Sequence, residues 1–217
     1  SMNNILSDES GAQQWLRDEF QLSDERWDKL VKFAALLEAE NEKQNLVSAS
    51  TIPTMWVRHI ADSAQLLRHV QDKEASWIDL GSGPGLPGLV IAILIDAPIM
   101  LVESRKLRCN FLRDVAEELD LRHVAVKESR LELLDSEPIG VISARAFAPL
   151  RKIIESARRF AHDDSLWLLP KGRNAEIELA TLPQRWQNMF HVEHSLTDAD
   201  SRLLVGRGQF PAKKQRV

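Results

Sequence analysis

The alternation of apolar and polar residues divides the chain into a helical first third and an α/β remainder. Residues 9–20 and 23–44 carry apolar side chains at helical spacing, which predicts two amphipathic helices. A third helix is predicted to begin near Thr51, with Pro53 in its first turn. The predicted strands cover residues 76–80, 99–103, 123–127, 139–143, 165–169, 186–195 and 201–206. The predicted helices between them cover residues 87–95, 104–119, 149–162 and 173–181.

This order of elements predicts an α/β fold with a helical cap. Strands that alternate with helices favour a mostly parallel sheet, and two adjacent strands near the end of the chain add an antiparallel hairpin at one edge. We therefore expect a helical cap over residues 1–70 and a doubly wound domain of seven strands over residues 71–217.

A glycine-rich stretch follows the first predicted strand, and residues 79–88 read DLGSGPGLPG. Its last three glycines satisfy the G-x-G-x-x-G pattern of dinucleotide sites. Pro84 and Pro87, however, lack the N–H groups with which such a turn holds a pyrophosphate. Asp79 followed by alternate glycines instead resembles motif I of the S-adenosylmethionine (SAM) methyltransferases. A nicotinamide site and a purely structural turn remain the alternatives.

A carboxylate at the end of the second predicted strand adds to the candidate site. Ligands of doubly wound sheets bind beyond the carboxyl ends of the strands. Glu103 lies 22 residues after Gly81, about where an acidic residue that binds ribose hydroxyls is expected. A surface pair between Glu103 and Arg105 or Lys106 is the alternative.

Several residues outside the glycine turn bear on the chemistry. Leu131 follows the third strand, where it would form an apolar wall beside an adenine, and Arg145 follows the fourth, where it should face the cleft. Cys109, the single cysteine, is predicted to lie buried in a helix, so it is unsuited to be the loop nucleophile of cytosine-C5 methylation. The Asn-Pro-Pro-aromatic tetrapeptide of exocyclic-amine methylation is missing. His59 and Asp62 could pair at the cleft mouth, either for function or as a structural pair.

Composition and charge describe an ordinary globular chain with a basic end. Hydrophobic residues make up 44% and charged residues 28%, and the formal net charge is −4. A single cysteine suits a reducing cytoplasm, and no apolar run is long enough for a membrane helix. Residues 201–217 contain five basic residues and no acidic one, which predicts either a nucleic-acid contact or a solvated terminus.

Four motifs together resemble a known family. They are NLVS at residues 45–48, RHIADS at 58–63, the glycine stretch at 79–88, and SARAFA at 143–148. They are similar to the motifs of the RsmG family, also called glucose-inhibited division protein B. The resemblance implies the seven-stranded Rossmann-like fold of SAM-dependent methyltransferases. It also implies a cytoplasmic bacterial enzyme that methylates the N7 nitrogen of one guanosine in 16S ribosomal RNA.

The resemblance assigns roles to individual residues. Its cofactor positions correspond here to Gly81, Leu86, Leu131, Glu132 and Arg145, and the physical reasoning adds Gly83 and Glu103. The residues expected to contact RNA are His59, Arg207, Lys213, Lys214 and Arg216. We expect Arg145 to bridge cofactor and guanine, with no general base and no metal ion.

The expected partner is 16S rRNA or the small ribosomal subunit, bound by a monomer with no membrane contact. Two other functions stay open for this sequence. One is a non-catalytic ribosome assembly factor, and the other is a nicotinamide-dependent oxidoreductase.

Overall fold

The computed structural model describes residues 5–145 and 148–212 and contains a seven-stranded sheet. The strands are β1 (Trp77–Leu80), β2 (Ile99–Glu103), β3 (Val124–Glu128), β4 (Ile139–Ala144), β5 (Ala161–Lys171), β6 (Phe190–His194) and β7 (Arg202–Arg207). Their order across the sheet is β3-β2-β1-β4-β5-β7-β6. The first five are parallel, and β7 runs antiparallel to both β5 and β6. The predicted fold class is confirmed.

Eight α-helical elements surround the sheet within the described residues. They are α1 (Glu9–Phe20), α2 (Asp24–Glu40), α3 (Asp62–Ala64), α4 (Gly88–Leu94), α5 (Lys106–Glu118), α6 (Leu150–Ala157), α7 (Ala175–Ala180) and α8 (Gln184–Gln187). Ser23 caps α2 as its sequence predicts, because its side chain accepts a hydrogen bond from the backbone N–H of Arg26 at 3.2 Å. Helix α2 ends at Glu40, before residue 44, because the Asn41 side chain accepts backbone N–H bonds from the chain that turns away after it.

One predicted strand begins too early. The apolar pattern predicts a strand from residue 186, but residues 184–187 form α8 and β6 begins at Phe190. Pro183 is the N-cap of this short helix, and its carbonyl accepts the backbone N–H of Gln187 at 3.0 Å. The Trp186 side chain is buried, and its indole N–H donates to the carbonyl of Pro211 at 3.0 Å. Trp186 is therefore a core residue that lies in a helical turn and not in a strand.

The third predicted helix is a sequence of short, irregular turns over residues 49–69, here called the third helical segment. It runs from a 3₁₀ helix (Ala49–Thr54) through a π-helix (Trp56–Ala61) and α3 to a second 3₁₀ helix (Gln65–His69). Both carboxylate oxygens of Glu9 accept backbone N–H bonds from Trp56 and Val57, at 2.9 and 2.8 Å. Helix α1 thus fixes the start of the π-helix, a type of turn that occurs often at functional sites.

Two hydrophobic clusters lie on the two faces of the sheet. The cap, α4 and α5 pack on one face, with Trp77 buried among them. Helices α6, α7 and α8 pack on the other face around Trp167, Phe160 and Phe210. The predicted domain boundary at residue 70 stays a prediction, and the cap shares its core with the sheet. Within the residues that the structure describes, no helix has the length and apolar character needed to cross a bilayer.

Candidate functional site

Asp79 holds the glycine turn in place from inside the protein. It is fully buried at the end of β1, and one carboxylate oxygen accepts a hydrogen bond from Ser143 on β4 at 2.8 Å. The other accepts the backbone N–H of Gly88 at 3.2 Å, which ties the strand to the start of α4. Burial raises the pKa of Asp79 to about 6, against the opposing effect of these hydrogen bonds. The acidic residue of the motif therefore supports the turn and does not face the cleft.

The turn itself needs glycine for its backbone conformation. Gly81, Gly83 and Gly85 have φ angles of 63°, 50° and 87°, a region that side-chain-bearing residues rarely adopt. The turn therefore follows a path that brings the backbone of Gly81 to the floor of two clefts.

Both clefts open at the carboxyl ends of the parallel strands, and Gly81 and Arg108 line both of them. The cap-side cleft has a volume of about 570 Å³ and lies between the third helical segment, the glycine turn and the start of β7. The β2–β3 cleft has a volume of about 670 Å³ and lies beyond the ends of β2 and β3. Their position agrees with the general rule for ligand sites in such sheets.

Glu103 lies in the β2–β3 cleft with its carboxylate held by backbone groups. Only 6% of the residue is exposed. One oxygen accepts the N–H of Gly83 at 3.0 Å, and the other accepts the N–H of Arg105 at 2.9 Å. Among the described residues Arg108 alone brings a basic group to ion-pair distance of the carboxylate, at 4.0 Å, so the alternative of a surface pair with the side chain of Arg105 or Lys106 is wrong. Each oxygen keeps a lone pair for a further donor.

The rest of the β2–β3 cleft is a mixture of apolar and charged groups. Leu131 is buried there, and its carbonyl accepts a bond from Arg159 at 2.5 Å, while Glu132 is exposed at the rim. Cys109 is fully buried behind Glu103, and its thiol donates to the Glu103 carbonyl at 3.2 Å. Burial raises the pKa of the Cys109 thiol. The predicted buried position of this cysteine within a helix is confirmed.

Arg145 reaches into the cap-side cleft and meets two residues of the third helical segment. Its Nη2 lies 3.2 Å from Nδ1 of His59, and its Nε lies 3.8 Å from a carboxylate oxygen of Asp62. His59 is buried, with 5% exposed. Burial lowers the pKa of His59 to about 4, and the charges of Arg145 and Arg58 act in the same direction. The imidazole is therefore neutral at physiological pH.

The seven predicted cofactor residues all line one of the two clefts. Those in the cap-side cleft are Gly81, Gly83, Leu86 and Arg145, and those in the β2–β3 cleft are Gly81, Glu103, Leu131 and Glu132. His59 also lines the cap-side cleft. Their binding roles stay predictions.

Of the predicted RNA contacts in the tail, the structure describes Arg207, and it does not come together with this site. Arg207 pairs with Leu166 in the register of β7 and β5, so it lies toward the amino-terminal edge of the parallel strands, away from the clefts. Lys213, Lys214 and Arg216 lie outside the described residues. Arg202, at the opposite end of β7, pairs with Lys171 and lines the cap-side cleft.

Several basic residues that line the clefts were not predicted as site residues from the sequence. In the cap-side cleft these are Arg58, Arg108, Lys171 and Arg202, and in the β2–β3 cleft they are Arg105, Arg108, Arg130 and Lys152. Arg105, Arg130, Lys171 and Arg202 lie at a strand end or within two residues of one, and Arg58 lies within a motif. Their position next to strand ends could have identified them as cleft residues, because the carboxyl ends of parallel strands meet on one side of the sheet.

Comparisons with known proteins agree with this geometry. The family model described as "rRNA small subunit methyltransferase G" matches residues 26–204. A protein of Sphingopyxis alaskensis named "Ribosomal RNA small subunit methyltransferase G" is 56% identical over 216 residues, which cover 99% of this chain and 93% of that protein. A protein of the same name from Zymomonas mobilis is 43% identical over 209 residues, 93% of this chain and 94% of that protein.

Solved structures share the fold at low sequence identity. A methyltransferase from Geobacter sulfurreducens superposes with a TM-score of 0.59 and 13% identity, and the match covers 81% of this chain and 90% of that one. At this level of identity the likeness shows the fold alone. It places the chain among proteins with the methyltransferase form of the doubly wound sheet.

Proposed function

The chain belongs to the rRNA small subunit methyltransferase G family, and from this premise we propose that it methylates the N7 nitrogen of a guanosine in 16S ribosomal RNA. S-adenosylmethionine is the cofactor of the reaction and supplies a methyl group bound to a positively charged sulfur. The single observation that carries the proposal is the junction of the two clefts at Gly81. A cofactor bound across this turn would present its reactive end to the cap-side cleft.

The residues of the β2–β3 cleft fit the nucleoside part of this cofactor. Glu103 is held rigidly by two backbone N–H groups, and its two oxygens can each accept one more hydrogen bond. A ribose presents two neighbouring hydroxyl donors, which match such a carboxylate. Leu131 gives the cleft a buried apolar side chain beside which an adenine ring can pack.

The glycine turn argues against a nicotinamide dinucleotide in the same place. In a dinucleotide site, backbone N–H groups of the turn bind the pyrophosphate. Here the N–H of Gly83 donates to Glu103, that of Gly85 donates to the carbonyl of Ser82 at 2.7 Å, and that of Gly88 donates to Asp79. The two prolines of the turn have no N–H at all. The N–H groups of all three glycines in the G-x-G-x-x-G pattern are therefore already used.

The charge of the cap-side cleft supports RNA as the substrate. Although the chain carries a net charge of −4, the described residues that line this cleft include five basic and two acidic side chains. Phosphate groups of a nucleic acid bind to such clustered Arg and Lys residues. A positive cleft in an otherwise acidic protein is the pattern expected for an enzyme that binds RNA at its active site.

The chemistry at N7 needs little from the protein beyond orientation. Guanine N7 has a lone pair and carries no proton, so its methylation requires no general base. The imidazole of His59, which lines the cleft, already uses both ring nitrogens within the protein. Catalysis would then rest on holding the base in line with the methyl group. Arg145 can donate to the guanine O6, which lies next to N7.

We also propose that the protein acts in the cytoplasm, which the single buried thiol of Cys109 supports. The substrate is the RNA of the small ribosomal subunit, as the names of the relatives suggest. The monomeric state and the absence of a metal ion stay predictions.

The proposal is tested by calorimetric titration with SAM and with NAD, followed by transfer of a labelled methyl group to 16S or 23S rRNA. We expect SAM binding in the micromolar range, on the order of 1–10 µM, no NAD binding, and label in 16S rRNA alone. Glu103→Gln should weaken SAM binding by about tenfold or more, because a charged acceptor of two hydroxyls is lost. Glu117→Gln, on the exposed face of α5, is the matched control. NAD binding without SAM binding would overturn the proposal.

A further inference from the structure

The Arg145 guanidinium is held from two sides by the third helical segment. Nη2 lies 3.2 Å from His59 Nδ1 and 3.5 Å from the carbonyl of Arg58, and Nε lies 3.8 Å from Asp62. These contacts join residues more than eighty positions apart in the chain. What they do for the reaction rests on the proposed function, because Arg145 is the residue expected to bridge cofactor and guanine.

The hydrogen bonds around His59 determine which ring nitrogen carries its proton. The Thr51 hydroxyl has one hydrogen, and it donates to the carbonyl of Ser48 at 2.6 Å. Thr51 Oγ1 also lies 2.7 Å from Nε2 of His59, so in that bond it must be the acceptor and Nε2 the donor. A neutral imidazole with its proton on Nε2 has a free lone pair on Nδ1. That lone pair faces Nη2 of Arg145, which has only hydrogens to offer.

The ring must also be neutral for this arrangement, because a charged imidazole would present two donors to a guanidinium. Burial and the neighbouring charges of Arg145 and Arg58 lower the pKa of His59, as described above. Both ring nitrogens are therefore matched with a partner of the opposite type. In this series of three hydrogen bonds Arg145 donates to His59, His59 donates to Thr51, and Thr51 donates to the carbonyl of Ser48.

Asp62 is held in a similar way by the β6–β7 loop (residues 195–201). One carboxylate oxygen accepts the hydroxyl of Thr197 at 2.6 Å and the side-chain amide of Gln65 at 3.3 Å. Gln65 is itself fixed, because its carbonyl accepts the N–H of Leu196 at 2.8 Å. The second carboxylate oxygen of Asp62 is left to face Arg145. The loop thus aims the carboxylate at the guanidinium.

These contacts leave one end of the guanidinium available. Within residues 5–145 and 148–212, Nη1 of Arg145 has no hydrogen-bond acceptor, although the residue lines the cap-side cleft. A guanidinium with two nitrogens fixed and one open has a defined direction for its remaining N–H groups. We propose that His59 and Asp62 are positioning residues that hold Arg145 in the orientation that methyl transfer requires, with His59 in its Nε2–H tautomer.

Two replacements of His59 separate its two hydrogen bonds. In Asn the side-chain oxygen lies about where Nδ1 lies in His, so His59→Asn keeps the acceptor for Arg145 and loses the donor to Thr51. In Gln the amide nitrogen lies about where Nε2 lies, so His59→Gln keeps the donor to Thr51 and loses the acceptor. We expect His59→Gln to lower the single-turnover rate by about tenfold or more, as for loss of a hydrogen bond to a charged group. The loss with His59→Asn should be several times smaller.

Replacements of Thr51 and Asp62 extend this test. Thr51→Val removes the acceptor that fixes the tautomer, whereas Thr51→Ser keeps it and should restore most of the rate. Asp62→Asn keeps an oxygen for Thr197 but removes the charge opposite Arg145, and it should lower kcat more than it changes KM for RNA. His162 lies at the start of β5, at the amino-terminal ends of the parallel strands and away from both clefts. His162→Asn is therefore the control for a general effect of replacing a histidine.

The tautomer itself is measured on the ligand-free protein by long-range ¹H–¹⁵N correlation spectra of the histidine rings. We expect a neutral Nε2–H ring at His59 from about pH 6 to about pH 8, and a change of tautomer or mixed tautomers in Thr51→Val. A charged ring or an Nδ1–H tautomer in the wild-type protein would overturn the proposal, as would equal rates for His59→Asn and His59→Gln in an active enzyme. If the wild-type protein fails to methylate 16S rRNA, the proposed function is wrong, and the spectra still test the arrangement of Arg145 and His59.

Discussion

Replacing Asp79 by Asn should change the way in which the stability of the protein depends on pH. The folded protein has an Asp79 pKa of about 6, against a usual value of 3.8. Between these values the folded state holds a proton that the unfolded chain has lost, so stability falls as the pH rises through the window. From pH 5 to pH 7 this loss is about 1.3 kcal/mol. In Asp79→Asn the group no longer titrates and the loss disappears.

His59 contributes the opposite slope over the same range. Its pKa is about 4 in the folded protein and 6.5 in its usual state, so the unfolded chain binds the extra proton and stability rises with pH. From pH 5 to pH 7 this gain is about 1.8 kcal/mol. The two buried groups therefore largely offset each other in the wild-type protein. Each single replacement, Asp79→Asn or His59→Gln, should reveal the slope of the group that remains.

The assay is urea unfolding at about pH 5 and about pH 7, followed by tryptophan fluorescence and circular dichroism. The quantity compared is the change with pH in the free energy of unfolding of each variant relative to wild type. Asn also places its amide NH₂ group opposite one of the two groups that donate to Asp79, the Gly88 N–H or the Ser143 hydroxyl. The resulting loss of stability is the same at both pH values, so it cancels in the comparison. Asp114→Asn, on the exposed face of α5, should show no change relative to wild type.

The expected result is that Asp79→Asn gains about 1 kcal/mol relative to wild type between pH 5 and pH 7, and that His59→Gln loses about 2 kcal/mol. Equal pH dependence for Asp79→Asn and wild type would refute the reasoning that burial perturbs Asp79. Equal pH dependence of stability for His59→Gln and wild type would refute the conclusion that His59 is neutral and buried. The arrangement around Arg145 depends on that conclusion.

Three further predictions concern the cofactor, the RNA and the chemical step. Gly81→Val should abolish SAM binding in calorimetry while circular dichroism stays unchanged, because Gly81 has a positive φ and lines both clefts; Ala39→Val, on the exposed face of α2, should still bind. Arg202→Gln should weaken RNA binding and reduce the slope of log affinity against log salt by roughly 0.7–0.9, whereas Arg207→Gln, at the far end of β7, should change both less; equal effects would place RNA elsewhere. Single-turnover rates should vary little between about pH 6.5 and about pH 8.5, since no base is needed; a tenfold rise per pH unit traced to the chemical step would mean that a base exists.

The strands and the turn could be predicted because their signals are local. Apolar runs bounded by turn residues placed β1 to β5 and β7 to within a few residues, and the glycines at 81–88 marked the turn after β1. The role of Asp79 could not be read in the same way. Its partners Ser143 and Gly88 come from another strand and from the next helix, and only the folded sheet brings them together.

Charge at the end of the chain was a poor guide to position. Arg207 was expected to contact RNA and Arg202 was not, but the direction of β7 places Arg202 at the clefts and Arg207 toward the amino-terminal ends of the parallel strands. The antiparallel hairpin was predicted correctly, and following its direction would have placed Arg202 at the site. The hydrogen bond between Asp62 and Thr197 could not have been predicted in this way. It joins positions 135 residues apart, and no local sequence pattern indicates it.

The most direct test of the proposed activity is the identity of the methylated atom. Purified protein, SAM and 16S rRNA lacking the modification would be incubated, and the product RNA reduced with borohydride and treated with aniline, which cleaves the chain at N7-methylguanosine. Methylation at N7 of one guanosine predicts a single new cleavage site at a guanosine, together with N7-methylguanosine as the labelled nucleoside after complete digestion. Label recovered in any other methylated nucleoside, or no transfer by protein that binds SAM, would contradict it.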